Sequence, residues 1–370
     1  MAWPTPDGWR EAIAATTLQV ITRTDILEPS GALAARIYPT SCSVDVDGGR
    51  EVRRILTMGL PADVDRDLLD PRSRREVRCW RGVVIDGLAV DECLVPLGTF
   101  SLKKPQWKAT AGQGGVVLSV TGNDRSRRLA RARWVNRFPI ASGTSVSAAI
   151  AAVLDDRAPW LPYDLAPTDV TTPAMWLGLD PAQSDPWQDI KALAQSAAQE
   201  VVIDPMGTLT TRPVPDPATA ATVAAFLPGP ANTLTAVDRG LDDEDTYNGV
   251  ILTAEGSGVA ALRSEVWDTD PGSLTYRATY GDVPYYATTN VAPDQGALDA
   301  ACAAMFRQMV GLTEQVHGDI TPDPSLDAGD LLEVSHPGSG TAGKFLLDSF
   351  TIAYDITTAM PLTLRERRTE

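Results

Sequence analysis

Histidine is nearly missing from this sequence: His317 and His336 are the two in 370 residues. They stand far apart and outside any H-E-x-x-H, which excludes most metal centres and catalytic triads built on imidazole. A structural role is expected for both. Cysteine is scarce as well, and Cys42, Cys79, Cys93 and Cys302 form no C-x-x-C pair. Buried reduced thiols are expected, with a Cys79 to Cys93 bridge across a hairpin as the alternative. No apolar run approaches the ~20 residues that cross a bilayer, so no membrane span is expected. The opening Met1-Ala2-Trp3-Pro4 is not a basic region followed by an apolar one. No signal peptide is therefore expected, and the chain should be assembled in a cytoplasm.

What is present is length and negative charge. A chain of 370 residues can hold two or three domains, each with its own core. The formal charge of −16 is uneven: residues 50–137 carry 18 Lys+Arg against 10 Asp+Glu, and residues 138–370 carry 11 against 32. Such an acidic chain repels nucleic acid at long range, so sequence-specific binding of DNA or RNA is not expected. Two arginine-rich runs with interleaved tryptophan, Arg72 to Arg81 and Arg125 to Arg137, are the exception. They could form a nucleic-acid patch or a solvated face. The favoured reading is that Arg125, Arg127, Arg128, Arg131 and Arg133 meet the acidic half of a neighbouring subunit.

Catalytic patterns are weak. Asp63-Val64-Asp65-Arg66-Asp67 opens like a calcium loop, yet Leu68 and Arg74 occupy the positions that need Gly and Glu. A solvated acidic turn is expected there. The carboxylates of Leu241-Asp242-Asp243-Glu244-Asp245 could serve a glycosidase, but neighbouring acids arise by chance in a chain this acidic. Gly112-Gln113-Gly114-Gly115 runs into a strand, whereas a phosphate loop opens onto a helix, so a hairpin tip is expected. Trp160, Trp176 and Trp187 read as core or interface anchors. No catalytic residue, metal site or cofactor is predicted.

Periodicity divides the chain. A short helix is expected around Trp9 and Ile13, then strands at 17–21, 42–46, 52–58, 77–85, 94–102 and 116–120, with turn signals between most of them. Helical spacing takes over at Val146, Ile150, Val153 and Leu154, after a Ser-Gly-Thr-Ser start. It returns at Trp187, Ile190, Leu193 and Ala194, where Asp185-Pro186 supplies the cap and first position. Glu200 to Pro213 reads as strand, Asp-Pro-x-Gly turn, strand. Pro213 to Pro230 reads as a linker. Tyr247-Asn248-Gly249-Val250-Ile251-Leu252 begins further β structure, interrupted by a helix carrying Leu298, Cys302, Met305 and Met309. Strands at 314–320, 331–334, 343–356 and 360–368 close the chain.

Three of these stretches together resemble the hub proteins of long-tailed phage tails and contractile injection machines. The first is Leu326, Gly329, Asp330, Gly343, Phe345, Leu347 and Asp348, closing on Met360, Leu362, Leu364 and Arg365. The second is Gly122, Asp124 and Leu129, where a strand passes into a basic segment. The third and most specific is Trp187, Ile190, Leu193, Val201, Asp204, Gly207, Leu209, Arg212 and Pro213, followed by Tyr247 and Asn248. The resemblance implies an α+β, mainly β fold with two tube-type β-barrel domains. Its expected bounds are a first barrel at 1–122, an α/β domain at 123–212, a linker at 213–230, and a second barrel at 231–370 with an insert about 263–311. It further implies a non-enzymatic virion protein that forms a homotrimer at the distal end of a tail and lines a DNA channel whose acidic wall would not hold DNA. Implied partners are the distal tail or tail tube protein, the tape measure protein, and tail-tip or fibre proteins. A carbohydrate-binding or cell-wall-degrading tail protein is the alternative.

Overall fold

Alternation between apolar and polar residues builds the first half of the chain. In β3 (Ser41–Asp47) the buried side chains are Cys42, Val44 and Val46; in β4 (Arg54–Leu60) they are Arg54, Leu56, Met58 and Leu60. One face of each strand meets the core and the other meets water, as a period of two requires. The computed structural model describes residues 3–15, 17–109, 116–178, 184–214, 220–229, 232–240, 246–254, 262–289, 294–309 and 312–367. The rest of this unit is α1 (Trp9–Ala14), β1 (Val20–Leu27), β2 (Leu33–Ile37), β5 (Glu76–Val83), β6 (Leu94–Leu102), β7 (Gln106–Ala109) and β8 (Val116–Asp124).

Helical periodicity then gives α2 (Arg125–Ala130), α3 (Val146–Arg157) and α4 (Pro186–Ser196), among the short strands β9 (Phe138–Ile140), β10 (Tyr163–Leu165), β11 (Met175–Leu177), β12 (Gln199–Ile203) and β13 (Leu209–Pro213). Ser145 caps α3 by accepting from Ala148 N. Asp185 caps α4 by accepting from Gln188 N at 3.0 Å, with Pro186 at the first position. Ile150, Leu154, Ile190 and Leu193 pack with Trp134 and Leu209 in a core of their own.

The last part contains β14 (Ala224–Phe226), β15 (Leu234–Gly240), β16 (Gly249–Ala254), β17 (Leu262–Trp267), α5 (Arg277–Tyr280), β18 (Pro284–Thr289), α6 (Gln295–Met309), β19 (Leu312–Ile320), β20 (Leu331–His336), β21 (Thr341–Ala353) and β22 (Met360–Arg367). Among the described residues one sheet of 14 strands runs through both β regions, along the path β15-β19-β22-β21-β3-β4-β8-β6-β5-β1-β2, with β20 and then β14 branching from β21 and β7 from β8. The join is made by β21. Its residues 345–350 pair with β22 on one edge, while the other edge serves β20 over 341–346 and then β3 over 349–353. A strand of 13 residues is long enough to serve both partners in turn. Val44, Leu56 and Phe100 therefore share one core with Leu332, Phe345 and Ile352.

Several expectations change. The segment 213–230, expected as a linker, supplies β14, which pairs in parallel with β20 and buries Ala224 and Phe226. Its partner lies about a hundred residues away, so composition alone reads as linker. Residues 249–254 do not join the large sheet: β16 lies between β17 and β18 and packs on α6 through Val250, Leu252, Leu298 and Cys302. The inserted unit therefore starts at β16 rather than near 263. β2 and β7 were not foreseen, and the first strand begins at Val20 rather than Thr17. All four cysteines are free and buried. The neighbour of Cys42 is the Cys79 thiol; the hydrogen bond between them, with burial, pushes Cys42 well above the ordinary thiol range. The stretches at 110–115 and 241–245 lie outside the described residues.

Candidate functional site

The turn between β12 and β13 is where the structure gathers most of the residues singled out in the sequence. Asp204 shapes it: its carboxylate accepts from Thr208 N at 2.8 Å, and its carbonyl accepts from Gly207 N at 2.9 Å. Gly207 lies at φ +89, a left-handed conformation that glycine adopts without strain. A Cβ there would also stand 2.9 Å from the Arg125 guanidinium.

The carbonyls of this turn are received by donors from the first β unit and from the start of α2. Arg54 Nη1 donates to Ile203 O at 2.8 Å, and Thr99 Oγ1 to Pro205 O at 3.2 Å. Arg78 Nη2 donates to Met206 O at 3.1 Å, and Arg125 Nη1 to Gly207 O at 2.7 Å. Arg125 also holds Glu76 through Nε and Nη2, the latter at 2.6 Å. Both partners of that fork-to-fork pair are buried, the setting in which such pairs fix geometry most firmly.

Asp124 ends β8 and starts α2. Its carboxylate caps Ser126 N at 3.0 Å and accepts from Arg54 N at 2.9 Å. Burial pushes its pKa up, opposed by those hydrogen bonds and by Arg54.

The second β region enters through Asp327. Arg54 Nη2 donates to it at 2.5 Å, and Arg53 lies 3.4 Å away. Burial acts to raise the Asp327 pKa, but Arg53 and Arg54 outweigh it and hold the group well below the carboxylate range. Asp330 accepts from Asp327 N at 2.8 Å. Arg212 pairs with Glu200, and Gly329, at φ +87, passes so close that a Cβ would lie 3.1 Å from the Arg212 guanidinium. Asp204, Gly207, Arg212, Gly329, Asp330 and Arg125 thus meet at one junction of three units.

Other singled-out residues lie elsewhere. Trp187 is buried on α4 and donates from Nε1 to Glu51 O at 3.2 Å, tying the helix to the β3–β4 turn. Tyr247 and Asn248 belong to the inserted unit. Buried Asn248 accepts from Val283 N and donates to Thr275 O and Gly281 O, while Tyr247 packs edge-on to Tyr285. Arg125 is taken up inside the chain, whereas Arg127, Arg131 and Arg133 are exposed. Arg128 stacks on Trp160 with 3.6 Å to the ring centroid.

Sequence reading missed Arg54, Glu76, Arg78, Thr99 and Asp327 at this junction. A signal existed for Arg54, which occupies a core-facing position in register with Leu56 and Met58. A charge on an apolar face is expensive unless paired, and it marks a buried partner.

The junction offers positioning rather than chemistry. Its charged groups are hydrogen-bonded to each other or to backbone. Among the described residues no group of three His, Cys, Asp or Glu is placed to hold a metal, and no helix is long and apolar enough to cross a membrane. Asp65 in the acidic turn accepts from Asp67 N at 3.0 Å, an ordinary cap.

One titration nearby is measurable. Burial pushes Asp189 up to about 6, although the Trp134 indole N–H donates to it at 2.6 Å. The raised value means the folded state favours the proton. Its stabilising contribution is full below a pH of about 4 and is lost as pH rises through about 6. Tryptophan emission should change with a midpoint near that pH, and Asp189→Asn should remove the change. An unaltered profile in that variant would refute the pairing as its origin.

The sequence matches no family model and no curated protein. Solved structures do match. The tail protein from Neisseria meningitidis MC58 has a TM-score of 0.66 at 14% identity, covering 94% of this chain and 96% of that one. The 43 kDa tail protein of prophage MuSo2 from Shewanella oneidensis has a TM-score of 0.61 at 12% identity, covering 94% and 98%. This chain has a phage tail-protein fold. The prophage tail protein gp18 from Listeria monocytogenes EGD-e shares the tail-protein fold at 9% identity and a TM-score of 0.55, covering 94% and 95%. These likenesses run through nearly the whole chain, and they agree with the hub-type resemblance read from the residues and with a mainly β architecture.

Proposed function

We propose that this protein is a structural subunit of a phage-type tail, a hub at the distal end in which three copies close a ring around the tail axis. The observation that carries this reading is the ladder between β21 and β3, which sets the two β regions edge to edge in one sheet. Two such regions per chain give a trimer six positions around an axis, and cyclic closure is the common outcome of head-to-tail contacts. The whole-chain likeness to tail proteins supports it. In this reading the ring carries the tail channel and contacts the tube or distal tail protein, the tape measure protein and the tip or fibre proteins. The exposed Arg127, Arg131 and Arg133 contribute to contacts between subunits. The role is mechanical: a well-satisfied junction that keeps three units in register suits a load-bearing ring better than catalysis.

Native mass measurement and negative-stain images of the purified chain test this. The expected result is a closed ring with the mass of three chains at high protein concentration. A chain that stays monomeric at every concentration, including with its tail-tube partner present, removes the ring. Release of soluble fragments from purified cell wall would favour an envelope-degrading protein instead.

A further inference from the structure

The strongest unassigned feature is a cleft whose lining carries cations and no carboxylate. Its wider part, about 590 Å³, opens between the Pro71 turn, the end of α2 and Trp160. A narrower part of about 160 Å³ continues past Arg127 to Lys103. Two of its arginines are already neutralised, Arg72 by Asp70 and Arg75 by Glu28. Arg74, Lys103, Arg127 and Arg131 are exposed, and among the described residues none of them has a carboxylate partner. Arg128 stands 3.8 Å from Glu76, but that carboxylate is already held by Arg125 at 2.6 Å. Stacking on Trp160 fixes the plane of the Arg128 guanidinium. Arg74 sits at φ 62, a strained conformation for a residue with a side chain and one that clusters at ligand-holding turns.

A row of partly oriented guanidinium groups without counter-charges suits a run of carboxylates, which they take by paired, charge-assisted hydrogen bonds. A phosphodiester strand offers similar charges. The net charge of −16 opposes an extended polyanion, however, and Trp160 already stacks with Arg128, so it offers a base less of its face.

We propose that this cleft receives the acidic run Asp242-Asp243-Glu244-Asp245 of a second copy, so that consecutive subunits meet head to tail. This rests on the ring reading above. The run is the only stretch of four consecutive acidic residues in the sequence, and it matches the four cations that lack carboxylate partners. A contact between two different surfaces of identical chains repeats until the ring closes.

The test titrates the full-length protein with a synthetic peptide of residues 238–248 and, separately, with short oligothymidylate. The peptide should bind at low ionic strength, and roughly tenfold more weakly once salt shortens the Debye length to about 8 Å. Arg74→Glu/Arg127→Glu/Arg131→Glu should weaken it on the order of a hundredfold. The same triple variant should abolish assembly, and adding Asp242→Arg/Asp243→Arg/Asp245→Arg to that same chain, so that an acidic cleft meets a basic run at every contact, should restore it. Oligothymidylate binding without peptide binding overturns the proposal, as does assembly that ignores the triple variant. If wild-type protein never assembles, the ring reading falls while the peptide titration still decides what the cleft accepts.

Discussion

Arg54→Met should lower the stability of this protein by about 3–5 kcal/mol, measured as a shift in urea unfolding at unchanged slope. Two of the three bonds made by this residue are at stake. Methionine keeps the length and apolar character of the side chain, so little packing is lost. What goes is the donor to Ile203 O and the donor to Asp327, while the backbone bond to Asp124 remains. Asp327 is then a buried carboxylate balanced by Arg53, 3.4 Å away, and the more distant Arg212, with Ala328 N still donating to it at 2.9 Å. That weakened compensation of a buried charge, more than the lost hydrogen bonds, dominates the expected cost. Adding Asp327→Asn should recover on the order of 1–3 kcal/mol, because a neutral amide is far cheaper to bury. A single-variant loss under about 1 kcal/mol would mean that Arg53 replaces Arg54 as the partner, and the junction would be less constrained than its geometry implies.

The second large effect belongs to Gly207→Ala. The left-handed backbone at φ +89 costs an alanine about 1–2 kcal/mol by itself. The new methyl would also stand 2.9 Å from the Arg125 guanidinium. A flexible arginine at the surface would move aside, but this one is buried and forked onto Glu76. Displacing it loosens that pair and the bond to Gly207 O, so a total near 3–4 kcal/mol is expected. Gly143→Ala supplies the control, since Gly143 has φ +80 and nothing within 4 Å of its added Cβ. That variant should show the backbone cost alone. Equal losses at both positions would dismiss the clash as a contributor.

The strands at 42–46, 77–83 and 94–102 and helical spacing after Ser145 and Asp185 were legible, because each depends on neighbours a few residues away. The turn Asp204 to Gly207 and the sharp bend at Gly329 were legible for the same reason: their chemistry is local. The junction they form was not. Glu76, Thr99 and Asp327 carry no mark in the sequence that ties them to Arg125, Pro205 or Arg54, since those contacts span 49, 106 and 273 positions. The strand at 224–226 was hidden likewise, being three residues in a Pro- and Ala-rich segment whose partner lies beyond residue 330.

The sequence by itself determined much of the secondary structure, the near-absence of histidine, the charge imbalance, and a resemblance to tail hubs carried by short motifs. Only the tertiary structure decided that β21 fuses two β regions into one sheet, that β16 leaves that sheet for a unit of its own, and that Arg125 faces inward while Arg127 and Arg131 face out. The physical reason is that periodicity is written in adjacent side chains, whereas pairing between strand edges and between buried charges is settled by which distant segments arrive together. Backbone edges are chemically alike, so a strand's sequence states that it will pair and leaves its partner to the fold.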